Sequence, residues 1–220
     1  MAGLTEHQGI AVLGGGGPVV RWAARGTAAP GETRSGDGHV VLPVPGGLMV
    51  GVVDALGHGA EAADVAFAAV AALGASPCES PAGRLRDCHR ALAATRGAVL
   101  ALARIDAAGS LTWTGVGNVE AVLLRPRGGS TEVLRTLISR PGVLGMRLPA
   151  NLVETSHPLE PGDVLLMASD GVDQAFVRDV AAGDEPAAAV RRIIEGRLRA
   201  HDDALVVAAR FEAPGPAAGA

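Results

Sequence analysis

The 220-residue sequence predicts an α+β layered sandwich, and three observations support that fold class. Short apolar runs bounded by Gly, Pro or charged residues recur along most of the chain, which is typical of β-strands. Gly-rich turn sequences between neighbouring runs indicate hairpins, so the strands are largely antiparallel. Helical periodicity is gathered in a few places instead of alternating regularly with the strands, which argues against a doubly wound parallel sheet.

The apolar runs predict about nine strands. In chain order they are Ile10–Leu13, Val19–Ala23, Val40–Val44, Leu48–Val53, Ala98–Ile105, Leu111–Gly115, Ala121–Leu124, Val164–Met167 and Leu205–Phe211. The sequences PVPGGLMV and AAGS supply the turns of two hairpins. Apolar residues at helical spacing predict covering helices over Gly59–Leu73, Ala82–Ala94 and Pro186–Arg199.

Composition bounds both the size and the chemistry of the protein. A mass of 22.0 kDa with 48% hydrophobic and 19% charged residues predicts one compact domain. We assign that domain to residues 1–212 and a flexible C-terminal tail to 213–220. The chain contains no Lys and no Tyr, which excludes a P-loop lysine, a Schiff-base lysine and tyrosine chemistry.

Charge and cysteine content exclude several partner classes. The net charge of −4 and the interspersed Arg and acidic residues leave no basic footprint for nucleic acid or an anionic membrane. Cys78 and Cys88 form no metal-binding or disulfide pattern, which fits a reducing compartment. The sequence has neither a signal peptide nor a membrane span, so we predict a cytoplasmic monomer.

Four aspartates each border an apolar strand at a turn. They are Asp37 in SGDG, Asp54 in VVDALGHG, Asp170 in ASDGV and Asp202 in HDDALVV. Each one alone is more typical of an Asp-Gly turn or a helix N-cap than of a metal ligand. Together at one rim they would need cations, and their oxygens suit Mg²⁺ or Mn²⁺. A pair of such ions activates water for in-line attack on phosphorus.

Six segments in the same order resemble the metal-dependent protein serine/threonine phosphatases of the 2C superfamily. They are GETRSGD, VVDALGHGAEAADVA, TRGAVLALARID, TGVGNVEAVLL, ASDGV and DDALVVAAR. The match is to the small bacterial branch of RsbX-like stressosome phosphatases and sporulation stage II E type phosphatases. The resemblance implies a four-layer αββα sandwich of two antiparallel sheets flanked by antiparallel helices, with the metal centre at one edge.

The resemblance also implies a role for each matched residue, with two Mn²⁺ or Mg²⁺ ions as cofactors. Asp54 would bridge both ions, and the backbone carbonyl of Ala55 would complete the second. Asp170 and Asp202 would hold the first ion, while Asp37 would act directly or through coordinated water. We therefore name Asp54 and Asp37 as catalytic, with Asp203 in a supporting role.

Three departures from the family pattern bear on the site. Two residues separate Asp54 from the Gly-His-Gly turn, so His58 is either a catalytic acid or a histidine at a helix start. Asn118 lies in a stretch where many relatives have an Asp that is linked to a third ion. Arg34 is the candidate for binding phosphate, because it lies three residues before Asp37.

Two other functions are compatible with the sequence. GHGAEA at a strand-to-helix turn fits the dinucleotide-binding pattern G-x-G-x-x-A, although GASPCESPAG follows where a parallel strand ending in an acidic residue is needed. A non-catalytic protein-binding regulator of the same fold is the second alternative. Replacement of Asp54 by Asn separates an enzyme from a scaffold.

The predicted partner is a phosphorylated STAS-domain protein, either a stressosome component or an anti-sigma antagonist, because the resemblance is to phosphatases of such switches. We predict that loops 125–140 and 141–151 recognise it. Their arginines would steer an acidic phosphoprotein by charge, or would form an ordinary solvated face. These arginines are Arg125, Arg127, Arg135, Arg140 and Arg147.

Overall fold

A computed structural model of the protein describes residues 4–14 and 17–213, and eleven strands and three α-helices lie within these ranges. The strands are β1 Leu4–Val12, β2 Val19–Thr27, β3 Asp37–Val44, β4 Gly47–Ala55, β5 Ala98–Asp106, β6 Ser110–Val116, β7 Glu120–Arg127, β8 Ser130–Leu137, β9 Thr155–Pro158, β10 Val164–Ala168 and β11 Ala204–Glu212. The helices are α1 Gly59–Ala75, α2 Pro81–Ala91 and α3 Pro186–Gly196, with a short 3₁₀ helix at Gln174–Asp179.

The strands form two antiparallel sheets. The six-stranded sheet has the order β1-β2-β11-β10-β7-β8, and the five-stranded sheet has the order β3-β4-β5-β6-β9. The turn between β3 and β4 begins at Pro45 and continues through Gly46, whose φ of 67° lies in the left-handed region that favours glycine. The two sheets stack face to face, and helices cover their outer faces.

Three apolar layers hold the stack together, and strand alternation explains them. In β4, Leu48, Val50 and Val52 belong to the cluster between the sheets. Met49 and Val53 point the other way, into a cluster with α1 and α2. A third cluster joins the six-stranded sheet to α3 and the 3₁₀ helix. β4 is apolar on both faces because each face lies in a core.

The structure confirms the predicted fold class of an α+β sandwich with two antiparallel sheets. It corrects the predicted loop over 125–140, because β7 and β8 form a hairpin there. β8 escapes prediction because it is an edge strand with a mostly exposed, polar sequence. β9 escapes because it has only four residues.

The dinucleotide-binding alternative does not fit this topology. That fold needs a strand, a helix and a second strand parallel to the first. Here β4 precedes the GHG turn and pairs antiparallel with both of its neighbours, β3 and β5. The turn therefore starts a helix beside an antiparallel sheet.

The assignment of residues 1–212 to a single domain remains a prediction. The predicted tail, 213–220, lies outside the described residues except for Ala213. In the described part of the chain, no helix has the length and apolar character needed to cross a membrane.

Candidate functional site

Two aspartates face each other across the ladder that joins β3 to β4. Asp37 is the first residue of β3, and its cross-strand partner is Asp54, the penultimate residue of β4. Both are only partly exposed. Like charges directly opposite each other destabilise a sheet. The pair therefore needs a counter-charge or a proton.

The six-stranded sheet supplies the other two predicted aspartates. Asp170 is separated from the end of β10 only by Ser169, and Asp202 lies two residues before β11 begins. β10 and β11 are antiparallel neighbours, with Ala168 opposite Val206. The end of one strand and the start of the other therefore meet at the same edge of the sheet.

Residues of both sheets enclose a pocket of about 190 Å³, which we call the carboxylate pocket. Its lining includes Asp54 and Ala55 from the five-stranded sheet together with Asp170 and Asp202 from the six-stranded sheet. Asp37 does not line the pocket itself and joins the cluster through its partner Asp54. The sandwich thus brings together all four aspartates that the sequence singled out.

Burial and mutual repulsion alter the titration of this cluster. Burial, followed by the charges of Asp170 and Asp202, raises the pKa of the Asp54 carboxyl to about 7. Burial and the charge of Asp54 raise the pKa of Asp37 well above its usual value, against a hydrogen bond from Ser169 that lowers it. Burial and Asp170 also raise the pKa of Asp202. Each shift reflects first the burial of the carboxyl group and then the negative charge of its neighbours.

The chemistry of this donor set fits hard divalent cations, which prefer carboxylate, carbonyl and water oxygens. As the side chains stand, no three His, Cys, Asp or Glu groups within 4–14 and 17–213 surround one common point. Mg²⁺ usually keeps several waters and is held by one or two carboxylates. The pocket therefore suits ions that retain water, not a closed cage of protein ligands.

Ser169, a buried polar residue that the sequence analysis did not assign to the site, holds Asp37 in place. Ser169 Oγ donates to Asp37 Oδ2 at 2.6 Å and accepts from the Leu205 backbone N–H at 2.9 Å. Ser169 therefore connects the two sheets at the site. Ser169 precedes Asp170 in the sequence Ser-Asp-Gly, but the sequence pattern points only to the aspartate as a functional residue.

Asp203 has a structural role in the loop before β3. Its carboxylate oxygens accept separate hydrogen bonds from the backbone N–H groups of Ala29 and Gly36, both at 2.7 Å, and the residue is 4% exposed. Gly171 packs so closely that an added Cβ would lie 1.9 Å from the Asp203 carbonyl oxygen. Asp203 thus fixes the segment that leads into Asp37.

Asn118 and His201 also line the carboxylate pocket. The Asn118 side-chain amide donates to Asp170 Oδ2 at 2.7 Å, so it orients that carboxylate. His201 has a φ of 87°, which is uncommon for a residue other than glycine. This backbone conformation immediately precedes Asp202.

His58 lies at the start of α1 and at the edge of the pocket. It is the N-cap residue, but its side chain makes no capping hydrogen bond. Its Nδ1 lies 3.0 Å from Glu32 Oε1. Gly59 has a φ of 78°, and an added Cβ there would lie 2.9 Å from the Glu32 carboxylate, so glycine makes room for this pair. The structure thus places His58 at the helix start and beside the site.

The predicted phosphate-binding and steering arginines fall into two groups. Arg34 Nη2 donates to Asp64 Oδ1 at 2.7 Å and is engaged on α1. Arg140 and Arg147 lie towards the site, as their backbone contacts show. The backbone of Arg140 pairs with Val116, and the backbone of Arg147 bonds to Val143, whose neighbour Leu144 pairs with Ala98. These three are near the predicted location.

The sequence predicts that Arg125 and Arg127 steer the phosphoprotein towards the site, but they lie at the opposite edge of the sandwich from the carboxylate pocket. The start of β7 is opposite Ala168, whereas Arg125 lies beyond the opposite end of β10. Its guanidinium instead makes two hydrogen bonds of 2.7 Å to Asp163, which is fully buried. Arg135 lies in β8, opposite Leu123 of β7, and so belongs to the same hairpin.

Comparison with known proteins identifies a matching family and similar solved structures. The family model described as stage II sporulation protein E (SpoIIE) matches residues 44–212. A solved structure described as "The bacterial stressosome: a modular system that has been adapted to control secondary messenger signaling" is 32% identical to the chain. The match covers 87% of this chain and 99% of that chain, with a TM-score of 0.77. No curated protein sequence matches at a comparable level of significance.

Two more distant structures share the fold. RsbX in complex with magnesium is 17% identical, and the match covers 94% of this chain and 100% of RsbX with a TM-score of 0.75. The catalytic domain of the serine/threonine phosphatase PstP, in complex with 2 manganese ions, is 21% identical. That match covers 89% of this chain and 99% of the PstP domain, with a TM-score of 0.63.

Proposed function

We propose, because this chain belongs to the stage II sporulation protein E family of PP2C-like proteins, that it hydrolyses phosphoserine or phosphothreonine esters on a signalling protein. Membership of that family makes it a protein phosphatase of the 2C superfamily, as the resemblance implied. The observation that supports the proposal most strongly is that Asp54, Asp170 and Asp202 converge from two sheets on one pocket, with Asp37 paired to Asp54 beside it.

We assign the carboxylates the roles that the family resemblance suggests. Asp54 would be shared by two Mn²⁺ or Mg²⁺ ions, and the carbonyl of Ala55 would serve the second. Asp170 and Asp202 would serve the first, and Asp37 would act directly or through water. The complexes of RsbX with magnesium and of PstP with manganese support this choice of ions. When bound, the two ions activate water and neutralise the charge that develops on the phosphoryl group.

The protein's own side chains then orient the carboxylates. Ser169 and Asn118 each donate a hydrogen bond to one aspartate, so those two carboxylates are directed before any ligand enters. The described residues that line the pocket include no Ser, Thr or Cys, and its aspartates, which form phosphoenzymes in other proteins, are here assigned to the metal ions. Cys88 is buried, and burial raises the pKa of its thiol to about 12. With the aspartates bound to metal ions, direct attack by water is the route that we propose.

The substrate assignment goes further than the enzyme class. We propose a phosphorylated STAS-domain protein, either a stressosome component or an anti-sigma antagonist, acted on by a cytoplasmic monomer. Similarity to a structure described in terms of the bacterial stressosome supports this choice. Arg140 and Arg147 remain available on the site edge for charge steering, which is weakened by salt.

The test compares hydrolysis of such a phosphoprotein, of a short phosphoserine peptide and of p-nitrophenyl phosphate with Mn²⁺, with Mg²⁺ and after exhaustive chelation. We expect activity only with a metal ion. The phosphoprotein should be hydrolysed far faster than the peptide, and salt should slow the protein reaction more. Full activity after chelation would refute the metal-dependent mechanism. Equal rates on protein and peptide would refute the dedicated STAS partner.

A non-catalytic regulator of the same fold makes a different set of predictions. It would bind its partner without turnover in any metal, and Asp54→Asn would leave that binding unchanged. Measuring turnover and partner binding for both the wild type and Asp54→Asn separates the two functions. Loss of turnover with retained binding in the variant supports the enzyme.

A further inference from the structure

A second groove adjoins the carboxylate pocket, and we call it the flanking groove. It has a volume of about 420 Å³ and is lined by residues 27–33 together with Leu198, Arg199 and Asp202. Asp202 also lines the carboxylate pocket, so the two cavities meet at this residue. A phosphorylated side chain in the carboxylate pocket would thus leave its neighbouring residues at the mouth of the flanking groove.

One wall of the groove is rigidly attached to the fold. Ala28 and Ala29 are 8% and 3% exposed, and the Ala29 N–H is bonded to the buried Asp203. Gly31 faces open space, with no atom within 4 Å of an added Cβ. On the other wall Leu198 is 47% exposed. The groove is therefore preformed, with small residues on one side and an apolar side chain on the other.

Among the residues that the structure describes, Arg199 is the only basic one that lines the flanking groove. Its Nη1 donates to the Asp170 carbonyl oxygen at 3.0 Å, which anchors the guanidinium beside the site. No carboxylate of residues 4–14 or 17–213 forms a salt bridge with it, whereas Arg34 and Arg96 nearby are paired with Asp64 and Glu61. No other described residue accepts a hydrogen bond from the Arg199 guanidinium, so its remaining N–H groups can meet a ligand.

The acidic groups of the groove are already engaged or committed. Glu32 Oε1 lies within hydrogen-bonding distance of His58 Nδ1. Asp202 belongs to the carboxylate cluster that the proposed function assigns to cations. Arg199 is consequently the cationic group that the groove offers to a ligand, and it is complementary to a carboxylate.

We propose that the flanking groove binds the polypeptide next to the phosphorylated residue, and that Arg199 pairs with an acidic side chain of that segment. This inference rests on the proposed phosphatase function. Arg199 is then a specificity-determining residue, since it acts on the neighbouring sequence and not on the reacting phosphorus.

The test uses two phosphoserine peptides of equal length, one with Asp or Glu on both sides of the phosphoserine and one with Asn or Gln there. p-Nitrophenyl phosphate, which has no flanking chain, is the third substrate. Arg199→Ala should lower kcat/KM for the acidic peptide by about three- to tenfold, and Arg199→Glu should lower it further. The neutral peptide and p-nitrophenyl phosphate should change less than about twofold.

The control variant is Arg86→Ala, because Arg86 is exposed on α2 at the opposite side of the five-stranded sheet. It should leave all three rates unchanged. A peptide with Lys in place of the acidic residues should be hydrolysed better by Arg199→Glu than by the wild type. This reversal cannot arise from a general weakening of the site.

Two results would overturn the inference. An equal loss on p-nitrophenyl phosphate would mean that Arg199 acts through Asp170 or on the phosphoryl group. An unchanged rate on the acidic peptide would mean that the groove is not used. If the wild type hydrolyses none of the three substrates with Mn²⁺, the proposed function fails on its own. Fluorescence anisotropy of a labelled acidic peptide then tests whether the groove binds it, because binding to Arg199→Ala should still be weaker than binding to the wild type.

Discussion

Asp37 and Asp54 lie directly opposite each other at the end of the β3–β4 ladder, although like charges in this position destabilise a sheet. Ser169, which follows β10 of the other sheet, donates a hydrogen bond to Asp37 at 2.6 Å. The two sheets thus support a repulsive pair from across the sandwich. An arrangement that costs stability and is supported from outside is typical of a functional site.

Asp54→Asn and Asp170→Asn should each lower turnover at saturating Mn²⁺ by about a hundredfold or more, because a lost carboxylate weakens both metal binding and water activation. The fold should persist, since each change removes a negative charge from a repulsive cluster. Steady-state turnover and circular dichroism measure the two effects. Glu132→Gln, in the distant β7–β8 hairpin, is the control and should be fully active. Near wild-type turnover in either variant would exclude that residue as a ligand.

The metal-free protein should lose stability as the pH rises through the range set by Asp54. Its folded pKa of about 7 lies above the ordinary value of 3.8, so the folded state retains a proton that the unfolded chain releases. The resulting loss of folding stability is absent below about pH 4, grows as the pH rises and is complete above about pH 7. Asp54→Asn should therefore gain stability relative to the wild type across that window.

Urea unfolding in chelator, measured on both proteins from pH 4 to pH 8, gives this difference directly. The comparison also cancels His39, whose pKa is lowered to about 4 by burial and by His7 and which contributes with the opposite sign. A difference between the two proteins that does not vary with pH would contradict the assignment of a raised pKa to Asp54.

Asp203→Ala should lower the free energy of unfolding by about 2–4 kcal/mol, because it leaves the N–H groups of Ala29 and Gly36 without acceptors. Asp203→Asn keeps one acceptor oxygen and should show about half of that loss. Hydrogen exchange at Ala29 and Gly36 should accelerate in the same order. If exchange at both amides stayed at the wild-type rate, the proposed anchoring of this loop would be incorrect.

Arg125→Ala should destabilise the protein by about 3 kcal/mol, because it leaves the fully buried Asp163 without its bidentate partner. Its effect on kcat/KM should be negligible, since Arg125 lies about 16 Å along β7 from Glu120 at the site edge. Thermal unfolding and steady-state kinetics of the same sample give both quantities. A selective loss of activity on the phosphoprotein would show that Arg125 does take part in substrate recognition.

Local sequence patterns were sufficient for most of the fold. The nine predicted strands all appear, because buried strands such as β4 and β5 carry long apolar runs. Helix α1 begins at Gly59 as predicted. The edge strands β8 and β9 were missed because an edge strand is stabilised by pairing with its neighbour more than by burial of its own side chains.

The sequence by itself determined the fold class and the four aspartates at strand ends, because both are written in runs of adjacent residues. Only the tertiary structure decided which carboxylates face each other, that Asp203 anchors a loop, and that Arg199 and not Arg125 lies beside the site. These facts depend on strand register and on which edge of a sheet a residue reaches. Register and edge arise from pairing between residues far apart in the chain, which no local pattern records.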